Sequence, residues 1–415
     1  MKKLLLPTLL LAFGTTYAQQ IQRCSSFEYM QDQIAADPTV QGKIDAVNAD
    51  CDAYQLAYPN GYTSRAVVTI PVVVHVIYQN ATENISDTRI FEQIQVLNED
   101  FRKLNADVGN INSAWDPIAA DCEIQFCLAA RDPNGNWTNG INRVSTTVST
   151  FSTNNNVKYT SSGGANAWDR SKYLNLWVCD LGSSLLGYAQ FPGQAAATDG
   201  VVLHYRYTGK TGAIAPYNKG RTAVHEIGHW LALYHIWGDD GSACTGSDFC
   251  SDTPNQADEN YTCPAIGTVV TDACTTTSPG VMWTNYMDYS DDACMLFFTA
   301  NQKTRMWAVL NGSRSSLQTS NGCILNSVDE LSLSHAFSLY PSPTNGLVTL
   351  DFGFALPSDY DIAVYNTLGE KVREIHIDML NEQTLMLDLR DQAAGLYFIE
   401  VRNKTEKITR KILVE

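Results

Sequence analysis

Between residues 66 and 78 apolar and β-branched side chains alternate densely, with Val67, Val68, Ile70, Val72, Val74 and Ile77 among them. That pattern predicts a buried first strand. The period then changes. Ile90, Ile94, Leu97 and Phe101 recur every three or four positions, predicting a helix that Ser86 or Asp87 can cap. Further apolar runs predict strands near 123–129 and 173–181, with 200–207 another candidate. Residues 153–164 are rich in Gly, Ser and Asn and read as a polar loop. Helical spacing returns over about 221–231, where Val224, Ile227 and Leu231 share one face. Strands mixed with helices over 66–325 predict an α/β body.

The two ends read differently. Lys2 and Lys3 precede an apolar stretch, 4–13, and Thr16-Tyr17-Ala18 offers a small-residue cleavage site, so 1–18 reads as a secretory signal. Residues 19–65 are polar and helical in flavour over 27–57, as a prosegment would be. Beyond about 326 short strands at 347–352, 360–365, 371–377, 384–389 and 395–402 are separated by turn residues. They predict a small all-β sandwich over 332–415.

Composition narrows the function. A chain of 415 residues with 44% hydrophobic and 17% charged positions is globular and holds more than one domain. A formal charge of −16 argues against nucleic acid and anionic membrane surfaces as partners. No later apolar run reaches the roughly 18 residues of a membrane span. Export suits the 11 cysteines, whose odd number requires at least one unpaired thiol. Cys24 can be a free ligand or pair with Cys51. Cys122 and Cys127 are too far apart on an extended strand to bridge each other, and either could reach Cys179.

The chemistry concentrates at 225–235, which holds three of the seven histidines. His225 and His229 stand four apart, one helical turn, so both imidazoles share a face and can hold one metal ion. Glu226 lies beside that face, placed to take a proton from a metal-activated water. His235 joins them only if the helix stops near Ala232, because a continued helix would rotate it by roughly 240°. A sharp break there makes the three-histidine site of a zinc peptidase.

With Asn285-Tyr286-Met287-Asp288-Tyr289 downstream, the chain from roughly 67 to 305 resembles the pappalysin family of metzincin metallopeptidases. Cys122 to Ala129, Tyr173 to Cys179, Leu186 to Gly193, Ser251-Asp252-Thr253-Pro254 and Asn285 to Met295 carry the same resemblance. It implies a mixed, twisted sheet above a cleft, with an edge strand near 185–190 that binds extended peptides by strand addition. It implies zinc on His225, His229 and His235, Glu226 as base, Met287 beneath the metal and Tyr289 as a stabiliser of the reacting carbonyl. Asp292 would favour arginine or lysine just after the scissile bond. Cutting at Ser64-Arg65 would then release the mature enzyme by its own preference. Arg23-Cys24 resembles the family's cysteine switch, in which a thiolate covers the metal's open position. Cys244 would pair with Cys274 and Cys263 with Cys294, and Asp248 and Thr253 would hold calcium. One departure stands out: the family has glycine where this chain has Ala232.

The C-terminal stretch resembles a type IX secretion sorting domain, with Pro341-Ser342-Pro343 in place of the usual Pro-Asn-Pro. It implies passage through periplasm and outer membrane to the cell exterior, with the secretion machinery as partner. The expectation is a secreted zinc endopeptidase made as a zymogen, acting on protein or peptide substrates. The rival is a non-catalytic surface adhesin with a structural zinc, which would have no need of Glu226.

Overall fold

The computed structural model describes residues 21–59, 61–64, 66–324, 337–352, 360–377, 384–402 and 407–415. The expected signal segment 1–18 and Arg65 of the expected cleavage point lie outside them. The chain forms two compact units. The first comprises α1 (Ser26–Ala36), α2 (Thr39–Ala57), β1 (Val68–Tyr78), α3 (Asp87–Phe101), β2 (Ile124–Leu128), β3 (Ile141–Ser145), β4 (Leu174–Cys179), β5 (Gly187–Ala189), β6 (Val201–His204), α4 (Arg221–Trp230) and α5 (Ala300–Asn311).

Its sheet runs β2-β1-β4-β6-β5. β2 pairs with the first half of β1, from Val68 to Val72, and β3 with the second half, from Val74 to Tyr78. All pairings are parallel except that of β5, which runs antiparallel to β6 and forms the edge. β1 is buried over nearly its whole length, as its apolar density requires. On one side the sheet covers a core with α3, α4 and α5, through residues such as Leu97, Phe101, Ile227, Trp230 and Trp307. Ile77, Trp177, Tyr188 and Val202 belong to a separate core cluster.

Local chemistry explains the boundaries. Ser86 caps α3 by accepting from Arg89 N, and Ile90, Leu97 and Phe101 are buried as the spacing predicts. The helix expected over 27–57 is two helices. Pro38 holds Asp37 in an extended conformation, φ −141° and ψ 97°, and so ends α1. α5 was not anticipated. It is buried on all sides, with Lys303, Thr304 and Arg305 inside among the apolar residues, so no amphipathic stripe marks it. The capping box of Thr299 and Gln302 starts it. The loop expected at 153–164 also differs: it turns through two short 3-10 segments and buries Val157 and Lys158 completely.

The second unit contains β7 (Ser338–Tyr340), β8 (Leu347–Asp351), β9 (Tyr360–Tyr365), β10 (Lys371–Ile377), β11 (Thr384–Asp388), β12 (Gly395–Arg402) and β13 (Lys407–Val414). They form two antiparallel sheets, β10-β9-β12-β13 and β11-β8-β7, around one core containing Val348, Leu350, Ile362, Ile399 and Ile412. Residues Ala130–Asn139 group with this unit. The fold class is α/β with a C-terminal all-β sandwich.

Candidate active site

Every residue of α4 is buried, so the side chains on its functional face have fixed surroundings. Gly228 leaves room for the Met287 side chain, since a Cβ there would come within 2.5 Å of Met287 Sδ. After Trp230 the chain turns sharply. Ala232 adopts φ +69°, its N donates to His229 O at 2.9 Å, and Leu233 N donates to Gly228 O at 2.9 Å. These two bonds make a Schellman-type end with alanine in the left-handed position where glycine is usual. The alanine carbonyl accepts from the Arg305 guanidinium at 3.4 Å, which braces the turn. The turn brings His235 back beside His225 and His229.

The three imidazoles meet through Nε2. His229 Nε2 lies 3.1 Å from both His225 Nε2 and His235 Nε2. Each Nδ1 faces an acceptor: Tyr286 O at 2.7 Å, Leu233 O at 2.8 Å and Asp239 Oδ1 at 2.7 Å. With Nδ1 protonated, three Nε2 lone pairs converge with no proton between them, an arrangement that calls for a cation. Tetrahedral zinc with bonds of about 2.1 Å would set its nitrogens roughly 3.4 Å apart, close to the spacing here. Burial, then the neighbouring histidines, lower the pKa of His225 and His229 well below the ordinary value. Burial opposes charge on His235 as well, but Asp239 outweighs it and raises that ring.

Cys24 joins this cluster. Its Sγ and one nitrogen of each histidine all lie within 4.8 Å of one another, so the donor set suits zinc. Burial and then Glu226 push the thiol well above its usual range, so a thiolate there needs a cation beside it. Glu226 is wholly buried. Its Oε2 accepts from Ser26 Oγ at 2.6 Å and Cys24 Sγ at 3.4 Å, and Oε1 has no partner. Burial raises its carboxyl to about 7, against the lowering effect of those two bonds. Tyr289 OH lies 3.2 Å from His235 Nε2.

The segment bearing Cys24 lies along the edge of the sheet. Gln22 N donates to Ser184 O, Leu186 N to Gln22 O and Ser25 N to Gly187 O, and the bridge between Gln22 and Leu185 is parallel. Ser26 Oγ also accepts from Ala189 N at 2.8 Å. Gly187 permits this closeness over α4, since a Cβ would stand 3.1 Å from Glu226 Cγ. Beside the cluster Arg23 Nη2 pairs with Asp292 Oδ1 at 2.9 Å, both side chains fully buried. The guanidinium stacks over Tyr217 at 4.8 Å. Asp292 Oδ2 accepts the backbone N–H of Lys219 and Arg221, so the carboxylate is fixed independently of Arg23. Met30, Val40 and Ile44 pack on Phe191 and Tyr234, holding α1 and α2 in place.

Other expected residues fall as follows. Cys244 is bonded to Cys274, and Cys263 to Cys294. Cys24 and Cys51 are both free and do not pair, and Cys122 and Cys179 are both free and buried, so neither alternative bridge forms. Asp248 is buried, accepts from Cys250 N at 3.0 Å and from Thr253 Oγ1 at 2.9 Å. Ser26, Asp239 and the Arg221 network with Asp100 and Asp107 were not anticipated. Asp239, four residues past His235, was the one detectable from spacing.

A sequence-family profile for peptidase M43, described as pregnancy-associated plasma protein-A, matches residues 158–311. A second, described as a secretion system C-terminal sorting domain, matches 338–415. An extracellular metalloprotease of Colletotrichum graminicola is 34% identical over 272 residues, covering 62% of this chain and 81% of its own. Among solved structures, a Tannerella forsythia promirolysin mutant is 47% identical with a TM-score of 0.67, covering 73% of this chain and 99% of that one. Mature mirolysin of the same organism, in complex with a cleaved peptide, is 54% identical with a TM-score of 0.60, covering 61% and 97%.

Proposed function

The chain belongs to the pappalysin family of zinc metallopeptidases, and from this premise we propose a zymogen of a secreted endopeptidase that cuts before arginine or lysine. The observation that carries the proposal is the convergence of three Nε2 lone pairs beside a buried, half-satisfied carboxylate. In this reading His225, His229 and His235 hold zinc and Met287 floors the site. When bound, zinc supplies Lewis acidity, acidifying water and polarising the scissile carbonyl. Glu226 takes the water's proton and returns it to the leaving amine nitrogen. The Tyr289 hydroxyl donates to the carbonyl oxygen as negative charge develops there.

In the precursor, Cys24 Sγ lies beside the three histidine nitrogens, where it would be a fourth ligand to zinc, and with Ser26 it engages the Glu226 oxygen that would receive the proton. Arg23 fills the pocket that Asp292 closes. Chain direction supports latency. In the precursor the residue over the histidines follows Arg23, whereas in a peptide cut before arginine that residue precedes it. A substrate must therefore run opposite to the prosegment, antiparallel to β5, and the prosegment presents no bond in cleavable orientation. Asp248 and Thr253, with Cys250 O beside them, form an all-oxygen group suited to calcium. The domain over 19–65 is removed on activation, and that over 332–415 serves as the export address read by the secretion machinery.

The test uses mature protein and paired peptides carrying arginine or neutral citrulline after the cut. Wild type should prefer arginine by about a hundredfold, the worth of a buried charge-assisted pair, and Asp292→Ala should lose that preference. Undiminished cleavage before arginine in the variant overturns the basic-pocket reading.

A further inference from the structure

Lys158 takes no part in the chemistry above, yet it is wholly buried. Its ammonium donates to Thr198 O at 2.8 Å and lies 3.4 Å from the Tyr29 hydroxyl. Three rings surround it, Tyr29 at 4.8 Å, Tyr188 at 5.1 Å and Trp177 at 5.5 Å. Among the described residues the acidic group that acts on it is Asp199, already taken by Arg314 at 2.6 Å. Burial brings its pKa down to about 7. An ammonium so enclosed is held by aromatic faces in place of a carboxylate.

One of those faces belongs to the prosegment. The Tyr29 ring packs on Tyr188 at 5.1 Å, and its hydroxyl is 2.8 Å from Asn155 Oδ1 and 3.2 Å from Gln190 Oε1. The other walls come from the catalytic unit, and Gln190 and Trp177 among them are braced without Tyr29. Thr198 Oγ1 and Ala195 O hold the Gln190 amide at 2.6 and 2.7 Å, and Trp177 Nε1 donates to Ala165 O at 2.9 Å. Loss of the prosegment therefore leaves a shaped pocket with an ammonium, two aromatic faces and two amide oxygens.

We propose that this pocket is a subsite of the mature enzyme that takes an aromatic side chain, tyrosine ahead of phenylalanine, from the part of the substrate before the scissile bond. This rests on the reading that a peptide replaces the prosegment and runs the opposite way along β5. Residues after Cys24 then lie on the same side as substrate residues before the cut. Tyr29 stands five residues past Cys24, the last four of them in the first turn of α1, an advance of about 7.5 Å at roughly 1.5 Å per residue. An extended peptide covers that in two residues or so, at about 3.3 Å each. The second or third residue before the cut is thus the one that reaches the pocket. The amide oxygens of Asn155 and Gln190 favour a hydroxyl donor and repel a carboxylate, so an acidic residue is disfavoured despite Lys158.

The experiment measures kcat/KM of mature enzyme on peptides with arginine after the cut and Tyr, Phe, Leu, Glu or Ala at the second and third positions before it. Tyrosine should exceed alanine by about tenfold, phenylalanine should be intermediate, and glutamate should be no better than alanine. Lys158→Met should flatten the aromatic preference, read as the ratio of the tyrosine peptide to the alanine peptide within the same variant. Asn155→Gly, which suits the local φ of +66°, should equalise tyrosine and phenylalanine while both still exceed alanine; it serves alone if the buried substitution fails to fold. Tyrosine no better than alanine, glutamate preferred, or both variants keeping the wild-type order each overturn the proposal. Loss of the arginine-over-citrulline preference identifies failure of the underlying reading instead, and no cleavage of any peptide overturns both.

Discussion

Replacing Arg23 by alanine in the precursor tests whether the buried ion pair sets latency. Arg23 gives the closed state one charge-assisted hydrogen bond to Asp292 and a cation–π contact with Tyr217. The first contributes roughly 1.5–3 kcal/mol and the second up to about 2 when desolvated. Asp292 keeps two backbone N–H donors after the change, so the penalty of an orphaned carboxylate stays below the roughly 3–5 kcal/mol typical of a broken buried pair. A net loss of about 3 kcal/mol from the closed state raises the open fraction roughly a hundredfold. The assay follows disappearance of purified precursor after a fixed trace of mature enzyme is added, by gel and by peptide hydrolysis. Arg23→Ala should convert faster by one to two orders of magnitude, and Arg23→Lys, which keeps charge without the planar fork, should fall between. In a Glu226→Ala background the same substitution should bring no peptide hydrolysis before the trace enzyme acts. Conversion at the wild-type rate would refute the reasoning, leaving the Cys24 contact as the whole of the lock.

Calcium binding should depend on pH. Burial pushes the Asp248 carboxyl up to about 7, above its value in the unfolded chain. Cation-free protein therefore loses stability from this group as pH rises from about 4 to 7, and a bound cation removes that loss. Excess calcium should raise the melting temperature more at about pH 8 than at pH 5; an equal or reversed effect counts against the site. Ala232→Gly should relieve the left-handed alanine at φ +69° and stabilise the mature enzyme by about 1 kcal/mol, a rise of roughly 2–4 °C in melting temperature. A fall would show that the alanine methyl contributes more through packing than it costs in backbone strain. Cys24→Ser should yield a precursor that hydrolyses small peptides before any chain is cut, because a hydroxyl is a poorer zinc ligand than a thiolate; full latency in the variant would remove the thiol from the lock.

Much of the site could be read from local spacing, and the rest depends on contacts that spacing does not encode. His225, Glu226 and His229 declare themselves through helical period alone. His235 does not, because its arrival depends on one residue, Ala232, adopting a conformation that alanine usually avoids. Ser26 reaches Glu226 across 200 positions of chain, and no local pattern marks such a bond. Lys158 misled for a related reason: a Gly/Ser/Asn-rich stretch signals turns, and its burial comes from aromatic residues contributed by α1, β4 and β5. α5 escaped detection because a helix buried on every face shows no stripe, whereas α3, half solvated, showed one clearly. Strand β1 was plain from its apolar density, while β3, only partly buried, was not.

The central claim is that His225, His229 and His235 jointly hold one zinc ion that Cys24 covers in the precursor. Zinc-edge X-ray absorption on precursor and mature protein tests it directly. The account predicts three imidazole nitrogens in both forms, with one sulfur in the precursor exchanged for a light oxygen ligand on maturation. Zinc held by fewer than three imidazoles, or a sulfur that persists after the prosegment has gone, would contradict it.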